Sequence, residues 1–211
     1  MSEGGSGASD AVTALLAHPD IAKLRAALGS RKPADSDREE GVRRAAVALI
    51  FRATEGGGGS PELLFIKRAD YPADPWSGQV AFPGGREEAG DANLSDTAMR
   101  ETREETGINL RTDAAVIGTL DDLRPQTTRL PAIIVRPYVA LLNRVESLVL
   151  SDEVALAFWI PLDALRNADS WRETTVLARG VQLNRRAFHH QGHVIWGMTE
   201  RILAQLLALL D

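Results

Sequence analysis

Arg100-Glu101-Thr102-Arg103-Glu104-Glu105-Thr106-Gly107 is the stretch on which the reading of this chain turns. Glu101 and Glu105 are four residues apart, and Glu104 is three from Glu101. At about 100° per residue, all three carboxylates fall within an arc of about 100° on a helix. Like charges on one stripe oppose an isolated helix, so a cationic partner must make them tolerable. All-oxygen crowding of this kind suits Mg²⁺ or Mn²⁺. Just upstream, Phe82-Pro83-Gly84-Gly85 predicts a rigid turn where backbone can come close to a ligand.

The acidic helix is expected over Leu94–Thr106. Ser95 is its expected cap, Asp96 favours its positive end, and Gly107 supplies a left-handed stop. Ala98, Met99 and Thr102 fall largely on the opposite side and are small enough to let the helix sit close against a sheet. Working outward, Ala45–Phe51 and Leu63–Ile66 read as buried strands, and Gln79–Phe82 as a short one. Further strands are expected at Ala115–Leu120, Ala132–Leu142, Ala157–Ile160 and His193–Trp196. Pro137 suggests an edge or a bulge in the second of these. Pro161–Leu165 begins a short helix, and Thr199 is the expected cap of a last amphipathic helix through Ile202, Leu203, Leu206, Leu207 and Leu210.

Residues 1–10 are small and polar and read as disordered. Leucines and an isoleucine at helical spacing from Ala11 to Leu28, interrupted near Pro19, predict one broken or two short helices. Gly29–Gly41 is polar and charged and reads as a linker. Residues 1–40 are therefore expected to form an extension to a domain spanning 41–211. That extension mediates a homodimer, covers the sheet or is dispensable; the residues do not choose among these. Glu55–Pro61 contains four consecutive glycines, but no Lys-Ser/Thr pair follows them, so a mobile loop is expected rather than a phosphate loop.

Composition narrows the function further. The chain has 211 residues, 44% of them apolar, enough for one domain with a real core. A net charge of −5 with no basic block argues against nucleic acid as a bulk electrostatic partner. Cysteine is absent, which removes disulfides, thiolate metal sites and cysteine nucleophiles together. The first ten residues show no secretory pattern, and no apolar run approaches the ~20 residues of a membrane span. A soluble cytoplasmic protein is expected.

With these residues in place, a resemblance can be stated. Gly85, Asp91 and then Arg100–Ile108 resemble the Nudix box of nucleoside-diphosphate-linked hydrolases, which asks for Gly, five residues, Glu, seven residues, and Arg-Glu-aliphatic-x-Glu-Glu-x-Gly-aliphatic. The chain departs from it at three points. Asp91 stands for the first Glu, eight residues precede Arg100, and Thr102 occupies the aliphatic position. Over residues 44–210 the chain is similar to the coenzyme A diphosphatase branch. Leu63-Leu64, Arg68-Ala69, Gly78, Phe82–Gly85 and the C-terminal Ile195-Trp196-Gly197-Met198-Thr199 carry that likeness. An extra residue before Arg68, and a spacer Asp70–Ser77 without Arg or His, depart from it.

The resemblance implies an α/β fold in which a mixed β-sheet is sandwiched between helices. It also implies a Mg²⁺- or Mn²⁺-dependent pyrophosphatase acting on a small nucleotide substrate. Coenzyme A or its thioesters lead, to give 3′,5′-ADP and a 4′-phosphopantetheine product. ADP-ribose, a dinucleoside polyphosphate or an oxidised nucleoside triphosphate are alternatives, as is a Nudix-like nucleotide-binding module without catalysis. On the family pattern Glu101 and Glu105 bind metal, Glu104 is a further ligand or water-orienting base, and the carbonyl of Gly85 or its neighbour Gly84 adds an oxygen. Arg100 orients the glutamates by bidentate pairing or forms an exposed salt bridge. Glu153 is a candidate late-loop base or ligand, or a solvated acid, and Asp121 and Asp122 are weaker candidates of the same kind.

Three further groups have two readings each. Arg68 contacts phosphate or is a strand-end surface cation. Trp76 stacks a nucleobase or packs its loop, whereas Trp159 and Trp196 read as core. His189-His190-Gln191-Gly192-His193 reads as a turn before the last strand rather than a zinc site, because adjacent strand histidines face opposite ways.

Overall fold

The computed structural model describes residues 6–36, 38–54, 59–71, 76–125, 132–143, 147–178 and 181–211. Residues 55–58, with most of the glycine run, and residues 72–75 of the spacer lie outside them, as do residues 1–5.

The chain opens with two helices, α1 (Ser6–Ala17) and α2 (Pro19–Ser30), separated at Pro19 as the spacing predicts. The first begins at Ser6, so the expectation of disorder through residue 10 does not hold for Ser6–Asp10. Pro19 sits at the first helical position, where its missing N–H is no loss. The charged segment after α2 is tied down rather than slack. The Asp121 carboxylate accepts from Arg31 and from Ala34 N at 2.6 Å, and Asp122 accepts from Ser36 N at 2.8 Å. Those bonds give Asp121 and Asp122 a structural task.

The central sheet is built from β1 (Arg43–Arg52), β2 (Glu62–Arg68), β3 (Val80–Ala81), β4 (Gly84–Arg86), β5 (Ala114–Thr119), β6 (Ile133–Leu142) and β7 (Val154–Pro161). Its path runs β3-β2-β1-β6-β5, with β4 beside β1 and β7 beside β2. The pair β1–β6 is parallel and the other pairs are antiparallel, so the sheet is mixed. Along one edge β1 changes partner. Phe51 and Arg52 pair with β2, while Ala45–Val47 pair with β4. The two glycines expected in a turn therefore form a short strand, held also by Ala48 N donating to Pro83 O at 2.8 Å.

Alternation along β1 separates two layers. Ala45, Leu49 and Phe51 face a core that includes Leu15 of α1, Ile21, Leu24 and Leu28 of α2, and Ile202, Leu203 and Leu206 of the last helix. Ala46, Ala48 and Ile50 face the other side, where Leu94 and Ala98 of the acidic helix pack on Ala46. Helices thus cover both faces, the α/β/α arrangement expected. Pro137 is not on an edge strand, since β6 runs between β1 and β5. Its carbonyl accepts Leu120 N at 3.0 Å, just past the end of β5, so the missing donor falls where that ladder stops. The bulge lies in β5, between Val116 and Gly118.

Sequence patterning missed the hairpin of β8 (Trp171–Ala178) and β9 (Val181–His190), which with β10 (His193–Trp196) forms a second, three-stranded sheet. Much of this hairpin is exposed on both faces, so its residues lack the alternation that marks a half-buried strand. Gln191 (φ 47°) and Gly192 (φ 82°) make the two-residue turn into β10, with His190 paired to His193. The last helix (Gly197–Ala208) has no side-chain cap; Thr199, expected there, donates instead to Val80 O at 3.0 Å.

Leu24 is fully buried among these layers. Leu24→Ala is expected to cost about 2–5 kcal/mol in urea denaturation. A loss below about 1 kcal/mol would mean that α2 does not belong to the folded core.

Candidate active site

Helix α3 (Leu94–Thr106) has the bounds that the sequence predicts. Asn93, not Ser95, is its cap, with the side-chain oxygen accepting from Ser95 N and Asp96 N. Gly107 (φ 78°) closes it in the left-handed conformation, its N–H reaching Arg103 O. Small buried residues on one side, Ala98 and Thr102, bring the helix down onto β1. The acidic stripe is thereby placed beside β4 and the end of β2. Thr102, in the family's aliphatic position, is fully buried, and its hydroxyl oxygen has no hydrogen-bond partner among the described residues.

Arg100 organises the exposed part of the stripe. Its Nε and Nη2 each lie 3.0 Å from an oxygen of Asp91, a bidentate pair. Its Nη1 donates to Glu101 Oε1 at 3.0 Å and to Glu104 Oε2 at 3.1 Å, and Nη2 also reaches Arg86 O. Asp91 is held in turn by Glu88 N and the Thr97 hydroxyl, and its side chain is only 6% exposed. The Arg100 guanidinium keeps the Asp91 carboxyl well below the usual carboxylate range despite that burial. Asp91 is thus the anchor for Arg100, a role that its place in the box did not disclose.

Glu105 lies deeper, 3% exposed. Gly84 N donates to its Oε2 at 2.8 Å, and Arg68 Nη1 lies 3.7 Å from its Oε1. Burial pushes its carboxyl up to about 7; the Gly84 and Arg68 contacts oppose the shift, and Glu101 and Glu153 add repulsion. Glu101 is raised as well, chiefly by burial, with Arg100 opposing and Glu104 and Glu153 repelling. The backbone makes room for these groups. A Cβ on Gly85 would meet the Glu101 carboxylate at 2.4 Å, and one on Gly84 (φ 148°) would meet Ala46 O at 2.2 Å.

Glu153 reaches the cluster through its backbone. Val149 N donates to Thr106 O at 2.9 Å and Ser151 N to Glu105 O at 3.3 Å, so this segment satisfies carbonyls at the end of α3. Ala69 N then donates to Glu153 O at 2.8 Å, beside Arg68. Trp76 stands on the β4 side, with the Arg86 guanidinium 6.0 Å from its ring centroid.

The structure thus gathers Arg68, Gly84, Gly85, Arg100, Glu101, Glu104, Glu105 and Glu153 around one end of α3, with Trp76 nearby. It leaves out Trp159, which carries the Arg52 guanidinium 4.2 Å above its ring, and the histidines. His193 stacks on Phe158 and His189 pairs with the Thr174 hydroxyl.

For a divalent cation, the donor set is all oxygen. One nitrogen of Arg100 already bridges Glu101 and Glu104, so a single positive centre can serve both. Among the described residues no three acidic or histidine side chains converge on one ligating point. A cation held by Glu101, Glu104 and Glu105 would draw the three side chains together from these positions, with Arg100 still anchored on Asp91. The oxygen chemistry of these residues fits a divalent metal, while their side-chain positions do not surround one.

Residues 42–179 match the NUDIX domain. The uncharacterised Nudix hydrolase NudL of Photorhabdus laumondii is 36% identical over 69% of this chain and 75% of its own length. NudL of Yersinia pestis is 31% identical over 69% and 71%. An uncharacterised Schizosaccharomyces pombe protein is 35% identical over 57% of this chain, which spans 42% of that longer protein. Among solved structures, a MutT/nudix family protein from Enterococcus faecalis is similar with a TM-score of 0.53 at 16% identity, covering 90% of this chain and 69% of that one, a likeness of fold.

Two outcomes test this geometry. Removing the unpartnered hydroxyl in Thr102→Val is expected to raise stability by about 1 kcal/mol in chemical denaturation; a loss would mean that the hydroxyl has a partner. Glu105 keeps its proton in the folded state up to about pH 7, whereas the unfolded group loses it near 4.5. Metal-free stability should therefore fall as pH rises from 4.5 to 7, and Glu105→Gln should remove the Glu105 share of that fall, leaving the part due to Glu101. The variant is expected to exceed the parent by on the order of 1–3 kcal/mol near pH 8 and to match it near pH 4.5. An equal gap at both pH values would refute burial as the cause.

Proposed function

The chain belongs to the Nudix hydrolase family, and from that membership we propose that it is a divalent-metal pyrophosphatase acting on coenzyme A or its thioesters. The products are 3′,5′-ADP and a 4′-phosphopantetheine compound. The observation that carries the chemistry is the paired placement of Glu101 and Glu105. One lies against the Cβ-less backbone of Gly85, the other on Gly84 N, and burial pushes both carboxyls upward. Two acids held in this unfavourable state are relieved by a cation, which is what a metal-binding site requires.

Glu101, Glu104 and Glu105 would hold Mg²⁺ or Mn²⁺, with a backbone carbonyl of the Gly84-Gly85 strand. When bound, the metal neutralises phosphate oxygens and lowers the pKa of the attacking water. The chain's own residues do the rest. Arg100, fixed by Asp91, orients the Glu101 and Glu104 carboxylates, so that they need not be ordered when substrate arrives. Glu153 has an exposed side chain close enough to repel Glu101 and Glu105, and is suited to take a proton from water. Arg68, partly exposed beside Glu105, supplies positive charge to a diphosphate, and Trp76 offers a face to the adenine.

Coenzyme A as substrate is supported by the sequence elements before and after the box, Leu63-Leu64, Arg68-Ala69, Phe82–Gly85 and Ile195–Thr199. Incubation with coenzyme A, ADP-ribose, diadenosine tetraphosphate and 8-oxo-dGTP in Mg²⁺, with products resolved by chromatography, tests the choice. The highest kcat/KM is expected for coenzyme A; brisk cleavage of ADP-ribose without turnover of coenzyme A would reject it. Glu101→Gln and Glu105→Gln are each expected to lower kcat by about three orders of magnitude or more, about 4 kcal/mol of transition-state stabilisation. Retained activity in both variants would place the chemistry elsewhere.

A further inference from the structure

Along the outer end of β4 runs an open cleft of ≈ 360 Å³, lined by Val42, Arg43, Arg44, Arg86 and Glu87. Three of its five residues are arginines, in a chain whose net charge is −5. The single acid does not balance them, because the Glu87 carboxylate is held by Arg38 at 2.8 and 2.9 Å. Arg44 lies 3.5 Å from Glu87 and shares the charge of Asp122 with other arginines, and its buried Nε has no acceptor among the described residues. Arg43 and Arg86 present exposed side chains. The Arg86 guanidinium also faces the Trp76 ring, joining the cleft to the aromatic face assigned to the adenine.

Position adds to charge. Arg86 follows Gly85 on the strand whose glycines receive Glu101 and Glu105, and Glu87 N is fixed to Arg44 O at 2.9 Å. At about 3.3 Å per strand residue, the cleft begins within about 3–7 Å of the glycine pair. Guanidinium forks of this kind match the oxygens of a phosphate monoester.

We propose that the Arg43–Arg44–Arg86 cleft is a second phosphate subsite, which binds a phosphate monoester on the ribose of the substrate. This rests on the coenzyme A reading and sharpens it. A 3′-phosphorylated adenosine diphosphate compound would engage both the cleft and the glutamates, whereas ADP-ribose would leave the cleft unfilled.

Calorimetry on the full chain, with adenosine 3′,5′-bisphosphate and with 5′-AMP as probes, tests the subsite without turnover. The bisphosphate is expected to bind the parent about tenfold or more tightly than 5′-AMP, and that ratio should fall towards one in Arg43→Ala/Arg86→Ala. Arg43→Lys/Arg86→Lys should retain part of it. If the double alanine variant fails to melt cooperatively, Arg86→Ala alone reads the same ratio. A ratio near one in the parent, or one unmoved by the alanines, overturns the subsite. Hydrolysis of coenzyme A and of 3′-dephospho-coenzyme A separates the two readings. Equal kcat/KM for both compounds rejects the subsite and leaves the pyrophosphatase intact. A bisphosphate preference without cleavage of either compound rejects the coenzyme reading and leaves the subsite.

Discussion

The bidentate pair between Asp91 and Arg100 is the interaction on which the acidic end of α3 depends. Three glutamates on one stripe are unfavourable, and two of them are partly or wholly withdrawn from water. Arg100 answers two of the three with one nitrogen, and can do so only because its other nitrogens are committed to a buried carboxylate. A free arginine would lose conformational entropy on forming that bridge; this one is already ordered. The shorter Asp in place of Glu suits the task. It lies in the turn before the helix, where Glu88 N and the Thr97 hydroxyl satisfy its remaining lone pairs.

Glu105 is answered differently, by backbone. Its partner is an N–H of β4, and β4 exists because β1 gives up β2 partway along its length. The change of partner opens a place in the sheet for a strand that begins with two residues lacking side chains. There Gly84 fits against Ala46 and Val47, and Gly85 against the Glu101 carboxylate. Alanines at 46 and 98 let helix and strand approach closely enough for these contacts. The site is thus a packing outcome as much as an electrostatic one, and small residues at four positions set its dimensions.

Much of this was readable from residue order. The bounds of α3, its left-handed stop, the buried strands β1 and β2, and the break at Pro19 follow from periodicity and from the conformations open to glycine and proline. The hairpin of β8 and β9 was not, because its exposed faces carry no alternation. The inner place of β6 was hidden by Pro137, whose missing donor falls at the end of a ladder that only the sheet order reveals. Ser95 and Thr199 satisfied the composition rules for caps. Neighbouring Asn93 and the distant Val80 carbonyl took those roles instead.

By itself, the amino-acid order determined that Glu101, Glu104 and Glu105 share a helix face and that Gly84-Gly85 brings bare backbone near them, since both follow from local geometry. Only the tertiary structure decided which cation meets which carboxylate. Asp91 takes Arg100, Arg68 turns to Glu105, Asp121 and Asp122 hold the segment before β1, and Arg43, Arg44 and Arg86 line a cleft whose one acid is Glu87. Charges can be counted along a chain. Their pairing depends on distances between strands and helices far apart in sequence, and on how much water each contact excludes.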